Sequence, residues 1–207
     1  MNYIYLHGFA SSPRSTKAQD FATRFSQLNL PLLIPDLNQP DFRHLTLTRQ
    51  LHQVEALLPP EPVTLIGSSF GGLTAAWLGE RRQIDRLVLL APAFGFLAHW
   101  LPRLGEQGQQ WQREGELAVY HYGAGGKLPL SYGFVTDAAQ YDEALIQRPV
   151  PTLILHGRQD DVIPIAASQN FARSRPWASL IELDSDHALG NVSDRIWSAV
   201  QTFCGLK

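Results

Sequence analysis

The stretch Gly67-Ser68-Ser69-Phe70-Gly71 constrains this chain more than any other. It follows the apolar run Val63-Thr64-Leu65-Ile66 and precedes Gly72-Leu73-Thr74-Ala75-Ala76-Trp77-Leu78, which reads as a buried strand, a very tight turn and a helix. Glycine at 67 and 71 removes Cβ atoms that would clash where strand and helix nearly touch, and Gly72 lets the helix lie close to the sheet. Such a turn holds Ser69 at its apex with Oγ exposed. A serine hydroxyl is a weak nucleophile near neutral pH, so it needs a base beside it and donors for a developing oxyanion. The Phe70 amide, which opens the helix, is one such donor, helped by the helix dipole. The same five residues can also be a glycine-rich turn with an incidental serine, so the reading depends on a base and an acid further along.

Six short apolar runs have strand character: Tyr3 to Leu6, Leu32 to Ile34, Val63 to Ile66, Leu87 to Leu90, Thr152 to Leu155 and Leu180 to Leu183. They are mostly continuous, which implies burial on both faces of a parallel sheet. Between them lie helical spacings, with Ala18, Phe21, Phe25 and Leu28 in one and Leu47, Leu51, Val54 and Leu57 in the next. Ser15 or Thr16 is a candidate cap for the first of these. The alternation predicts an α/β sandwich of about six mostly parallel strands with helices on both faces, its site beyond the carboxyl ends of the strands.

The loop His7-Gly8-Phe9-Ala10-Ser11-Ser12-Pro13 follows the first strand. Its turn frees a backbone amide, that of Phe9, to complete an oxyanion hole with Phe70, while His7 is expected to hydrogen-bond the loop. Asp36, after the second strand, reads as a turn former. The loop Ala91-Pro92-Ala93-Phe94 holds no carboxylate. After Thr152 to Leu155 comes His156-Gly157-Arg158-Gln159-Asp160-Asp161-Val162-Ile163-Pro164, where an acid follows a strand. A buried carboxylate is what a serine–histidine pair requires to hold the imidazole in its working tautomer. Asp160 is preferred to Asp161 from its spacing after Gly157 and before Pro164; both can also be turn or helix-capping residues. Asp184-Ser185-Asp186-His187 follows the last strand, with Asp186 expected to bond local backbone. The resulting order Ser69, Asp160, His187 is the one a nucleophile elbow requires.

Residues 94–148 break the alternation. They hold eight of the sixteen glycines, four of the six tyrosines, and Trp100 and Trp111, a content that argues against disorder. The segment reads as a cap inserted after the fourth strand, with short helices over Phe94 to Leu104 and Ala138 to Gln147 and a hinge or turn at Gly123-Ala124-Gly125-Gly126. Its aromatics either form the cap's own core or line an acyl pocket.

At 207 residues the chain suits one domain over 1–207. With 17 basic and 19 acidic side chains and no basic run, neither nucleic acid nor a membrane surface is an expected partner. The single cysteine, Cys204, and the lack of a basic-then-apolar start suggest a cytoplasmic protein. Asn191-Val192-Ser193 is expected to cap the helix that follows, with Asp194 close behind.

Four motifs in this order resemble the α/β-hydrolase superfamily: the His7-Gly8-Phe9 loop, the Gly67 to Gly71 elbow, His156-Gly157-x-x-Asp160-x-x-Ile163-Pro164, and His187. The opening Tyr3-Ile4-Tyr5-Leu6-His7-Gly8-Phe9-Ala10-Ser11-Ser12-Pro13 is similar to the small bacterial YqiA-type esterases. The wider resemblance implies a serine acyl-enzyme mechanism with no metal or organic cofactor. The narrower one implies carboxylesterase or acyl-CoA thioesterase activity. The chain starts directly at the His-Gly strand, so the superfamily's antiparallel leading strands are expected to be missing.

The expectation is therefore a serine hydrolase acting on a small-molecule ester or thioester, a carboxylesterase first and an acyl-CoA thioesterase second. A third reading is a non-catalytic binding protein on the same fold. Coenzyme A esters would favour cations at the mouth, for which Arg103, Arg113 and Lys127 are candidates among Glu106, Glu114 and Glu116. Oligomeric state stays open.

Overall fold

A computed structural model describes residues 2–207. Met1, the first residue of the domain expected over 1–207, lies outside the described residues. In chain order the elements are β1 (Asn2–Leu6), α1 (Thr16–Gln27), α2 (Leu47–Glu55), β2 (Val63–Ser68), α3 (Phe70–Arg81), β3 (Arg86–Leu90), α4 (Phe96–Leu104), α5 (Glu106–Glu114), β4 (Glu116–His121), β5 (Gly126–Ser131), α6 (Gly133–Ala138), β6 (Thr152–Gly157), α7 (Ile165–Arg173), β7 (Ala178–Leu183) and α8 (Ser193–Cys204).

The main sheet runs β1-β2-β3-β6-β7 with every neighbouring pair parallel. Side chains of alternate strand residues enter opposite cores, as the period of two requires. Ile4, Leu6, Leu65, Leu87, Leu89 and Ile154 face one core, where α2, α3 and α7 add Leu51, Val54, Leu73, Trp77 and Phe171. Tyr3, Tyr5, Ile66, Val88, Leu90 and Leu155 face the other, closed by Phe21 and Phe25 of α1 and Ile196 and Val200 of α8. Burying a side chain of this size stabilises by about 1.5–3 kcal/mol. The continuous apolar runs are thus the signature of a sheet covered on both faces, and they aim all the strand C-termini the same way.

The expected strand at Leu32 to Ile34 shrinks to one bridge, Leu33 beside Ile4. Leu33 donates its N–H to Tyr3 O (3.0 Å) and accepts from Tyr5 N (2.8 Å). A parallel ladder continues through alternate residues, and the next positions, 31 and 35, are both prolines without an N–H. Asn191-Val192-Ser193 does not cap α8, whose start has no side-chain cap; Asp194 instead pairs with Arg24 (2.6 Å). On α1 it is Ser15 that caps, accepting from Ala18 N.

The inserted segment after β3, the fourth expected strand, begins with the expected helix, as α4. The helix expected over Ala138 to Gln147 is displaced to α6, followed by a single 3-10 turn at Glu143–Leu145. Helix α5 and the antiparallel pair β4–β5 were not expected. The hairpin's signal was present in the alternation of Leu117, Val119 and His121 and of Leu128 and Leu130 around a glycine-rich turn, but Pro129 inside the second strand masked it. This small second sheet fits a cap over the first. No helix among the described residues is long and apolar enough to cross a membrane.

Glu143 ties the end of the insertion to its beginning, since both its carboxylate oxygens accept from Gly95 N (2.8 and 3.1 Å) at the start of α4. Burial pushes this carboxyl up to about 7, only partly offset by the Gly95 amide and the Arg175 charge. A carboxyl whose folded pKa lies above its unfolded value binds more protons when folded, so its ionisation lowers stability as pH rises from about 4.5 to 7. Chemical unfolding at pH 5 and pH 8 checks this: Glu143→Gln keeps an acceptor without the charge and should lose less stability across that interval than the natural chain, by roughly 2 kcal/mol.

Candidate active site

The loops after β1, β2, β6 and β7 converge at one end of the sheet. At the end of β2, Ser69 sits at φ 53°, ψ −118°, a conformation that side-chain-bearing residues rarely adopt. Its backbone holds it there: Ser69 N donates to Leu90 O (2.9 Å), and Ser69 O accepts from Gly72 N (2.8 Å) and Ala93 N (3.0 Å). A methyl group on Gly67 would run into the Gly71 backbone, and one on Gly71 into the carbonyls of Leu6 and His7. The two glycines therefore let β2, α3 and the end of β1 touch.

His187, in the loop after β7, places Nε2 3.0 Å from Ser69 Oγ and Nδ1 2.7 Å from Asp160 Oδ2. Asp160 accepts at Oδ2, so Nδ1 carries the proton and the Nε2 lone pair faces the serine hydroxyl. Asp160 is the acid that reaches His187; Asp161 only lines the cavity. Asp160 Oδ1 accepts from Val162 N (2.9 Å) and Ile163 N (2.8 Å), and Oδ2 also lies 3.0 Å from His156 Nε2. Burial opposes ionisation of Asp160, but the bonds from His156, His187 and Ile163 outweigh it and hold the carboxyl well below the usual carboxylate range.

His156, which the sequence placed in the motif around Asp160 without a role, supports that carboxylate. It is fully buried, its Nδ1 accepting from Ser168 Oγ–H (2.8 Å), so Nε2 carries the proton toward Asp160 and Ile163 O. The signal was its place in β6 immediately before Gly157. Asp186 bonds local backbone as expected, accepting from Ala188 N (3.0 Å) and Leu189 N (3.2 Å). Asn191, the expected cap, instead braces this loop, donating to Asp184 O (3.0 Å) and accepting from Ser185 Oγ.

His7 does not approach Ser69. Its Nδ1–H donates to Gly8 O (2.9 Å) and its Nε2 accepts from Leu37 N (3.0 Å), which ties the first loop to the second. Asp36 makes the expected turn by accepting from Asn38 N (3.1 Å). The Phe9 ring packs among Phe42, Phe70, Phe96, Trp100 and Phe134 with centroids 5.1–6.2 Å apart, so the insertion helps place the Phe9 backbone. Neither the Phe9 nor the Phe70 amide donates to another described group.

A cavity of about 630 Å³ opens over Ser69 and His187, with Tyr5, Phe9, Lys17 and Tyr122 on its walls. Trp100, Trp111, Tyr132 and Phe134 pack on one another and, through Phe9 and Phe70, join the core on that face of the sheet, and the fully buried Trp111 donates Nε1–H to Leu130 O (2.9 Å). From the insertion Tyr122 reaches the cavity; it is at the hairpin tip, which docks on the first loop through Tyr122 N–H to Ala10 O (2.8 Å). Arg103, Arg113 and Lys127 are not on its walls. The cation there is Lys17. Among the described residues no group of three or more His, Cys, Asp or Glu side chains is arranged to hold a metal ion.

Residues 2–204 match the model of UPF0227, an uncharacterised protein family. No curated protein matches the chain. Among solved structures, it resembles Est1E from Butyrivibrio proteoclasticus with ferulic acid bound (22% identity, TM-score 0.80, covering 98% of this chain and 87% of that one). It also resembles alpha/beta hydrolase domain-containing protein 10 from mouse (20%, 0.75, 100% and 90%) and a pyrethroid hydrolase from Sphingobium faniae JZ-2 (18%, 0.68, 98% and 96%). The fold is that of the α/β hydrolases.

Gly157 ends β6 against the loop that carries His187, and a Cβ there would overlap the carbonyls of Ser185 and Asp186. Backbone on both sides leaves nothing flexible to yield. Gly157→Ala should therefore destabilise the fold by about 1–3 kcal/mol in urea unfolding; an unchanged midpoint would show that the loop is free to move away.

Proposed function

We propose that this chain, which belongs to the UPF0227 family, is a serine hydrolase of the carboxylesterase type that cleaves small or medium acyl esters. The observation that carries the reading is the linear chain of contacts Ser69–His187–Asp160, at 3.0 and 2.7 Å, with the serine in a strained turn at the base of a cavity. A neighbour of the same fold named as a pyrethroid hydrolase supports a hydrolytic reaction. The whole chain works as one α/β-hydrolase domain with 94–148 as its cap.

Ser69 Oγ attacks the ester carbonyl carbon while its proton passes to His187 Nε2. The carbonyl π electrons move to oxygen, where the amides of Phe9 and Phe70 stabilise the negative charge. As the tetrahedral intermediate collapses, the bond to the leaving oxygen breaks and His187 gives its proton to that oxygen, releasing the alcohol and leaving an acyl-Ser69 ester. Water then attacks the acyl carbon as its proton passes to His187 Nε2; collapse breaks the acyl–Oγ bond, His187 returns the proton to Ser69 Oγ, and the free acid departs. Throughout, Asp160 accepts from Nδ1–H, keeps the ring oriented and stabilises the imidazolium without itself taking the proton. The donors to Asp160 from His156, Val162 and Ile163 favour the ionised form that this role needs.

Intact-mass analysis after exposure to a fluorophosphonate tests the mechanism. The expected result is a single adduct on the natural chain and none on Ser69→Ala, with ester turnover lowered about 10⁴- to 10⁶-fold in Ser69→Ala or His187→Ala. Undiminished turnover by Ser69→Ala would rule the mechanism out, and a folded natural chain that takes no adduct would favour a binding protein.

A further inference from the structure

Lys17 is placed where helix physics disfavours it. It is the second residue of α1, in a first turn that holds no acidic residue, at the positive end of the helix dipole. Its side chain runs along the wall of the cavity that contains Ser69 and His187. There the ammonium donates to the backbone oxygen of His187 at 3.4 Å, a long bond that engages one of its three N–H groups.

No described carboxylate lies within ion-pair distance of Lys17; the carboxylates whose charge acts on it are Asp160 and Asp186. The oxygens of Asp160 are taken up by His156, His187, Val162 and Ile163, and Asp186 Oδ1 by the amides of Ala188 and Leu189. Burial pushes the ammonium down to about 8, and those two carboxylates offset the effect only in part. A partly buried cation with unfilled donors is stabilised when an anion joins it.

The space it faces is the space an ester on Ser69 would fill. The wall is mixed: Ser11, Ser15 and Thr16 are polar, and Tyr5, Phe9 and Tyr122 bring aromatic rings. Asp161 and Asp186 also line the cavity, and their charge works against a ligand of high negative charge.

We propose that Lys17 is a specificity-determining residue that binds a single carboxylate on the substrate, so that this chain prefers esters bearing one free carboxylate over neutral esters of the same shape. The inference rests on the serine-esterase reading of the site and adds to it the substrate's charge. The carboxylate can belong to the acyl part, as in a half-ester of a dicarboxylic acid, or to the alcohol part. In either case the amphipathic cavity takes the apolar body of the substrate while Lys17 holds the charged end.

Two matched pairs test it: mono-(4-nitrophenyl) glutarate against 4-nitrophenyl pentanoate, and the butyrate ester of 4-hydroxybenzoic acid against that of its methyl ester. The natural chain should favour the charged member of one pair by about 10- to 100-fold in kcat/KM, mainly through KM, which is the effect of one charge-assisted hydrogen bond. The pair that responds identifies the part of the substrate that carries the carboxylate. In Lys17→Met the charged-to-neutral ratio should fall to about one, whatever happens to the absolute rates, and Lys17→Arg should keep most of it. No preference in either pair, or a ratio unchanged in Lys17→Met, would overturn the proposal. Equal loss on charged and neutral esters would also leave the ratio unchanged and would make Lys17 a support for the His187 loop. Turnover of the neutral esters and fluorophosphonate labelling report separately on the esterase reading: if both are absent, that reading fails and this proposal fails with it.

Discussion

The close approach of β2 to α3 is the constraint on which the site depends. Two backbones that almost touch at Gly67 and Gly71 force the residue between them to positive φ, and Ser69 stays there because its N–H continues the sheet bonding to Leu90 while its carbonyl starts α3 and anchors Ala93. Strain of this kind costs about 1–3 kcal/mol and persists where the surroundings over-determine it. Here they do so through β1 as well, because Gly71 lies against the carbonyls of Leu6 and His7. Ser69 and the His7-Gly8-Phe9 loop are thus held against each other by one backbone contact.

A second rigid unit sits across the cavity. Asp160 is a buried carboxylate with four donors, and leaving such a group short of one donor typically costs about 1–3 kcal/mol or more. That cost locks β6, its following loop and the His187 loop together, with Gly157 allowing the close approach and Asn191 closing the far side. His187 bridges the two units, and its two ring nitrogens have different partners, Asp160 and Ser69. The insertion reaches the same machinery through Phe9, whose ring is held by Phe96, Trp100 and Phe134, and through the hairpin tip on Ala10.

Much of this was legible because the physics involved is local. Continuous apolar runs point to two-face-buried strands, glycine spacing points to a tight strand–helix turn, and loops after parallel strands all open at one end. What was misread turned on prolines beside or within a strand and on one partner elsewhere in the chain. Leu32 to Ile34 has the right side chains for a strand, yet Pro31 and Pro35 leave it one bridge. Asn191 sits where a cap would, but Ser185 and Asp184, both before it in the chain, claim its side chain. The hairpin of β4 and β5 was hidden by Pro129, which an edge strand tolerates.

The chain's own sequence determined the fold class, the elbow and the order of Ser69, Asp160 and His187, since periodicity, glycine placement and the order of loops are properties of the chain itself. Only the tertiary structure decided that Asp160 rather than Asp161 reaches His187, that His156 supports that carboxylate, that the insertion's tryptophans pack on each other, and that Lys17 rather than Arg103, Arg113 or Lys127 faces the cavity. Each of these is a question of direction between neighbouring or distant side chains. Spacing along a sequence places a residue near a site, but hydrogen-bond geometry and burial choose which of its atoms arrives there.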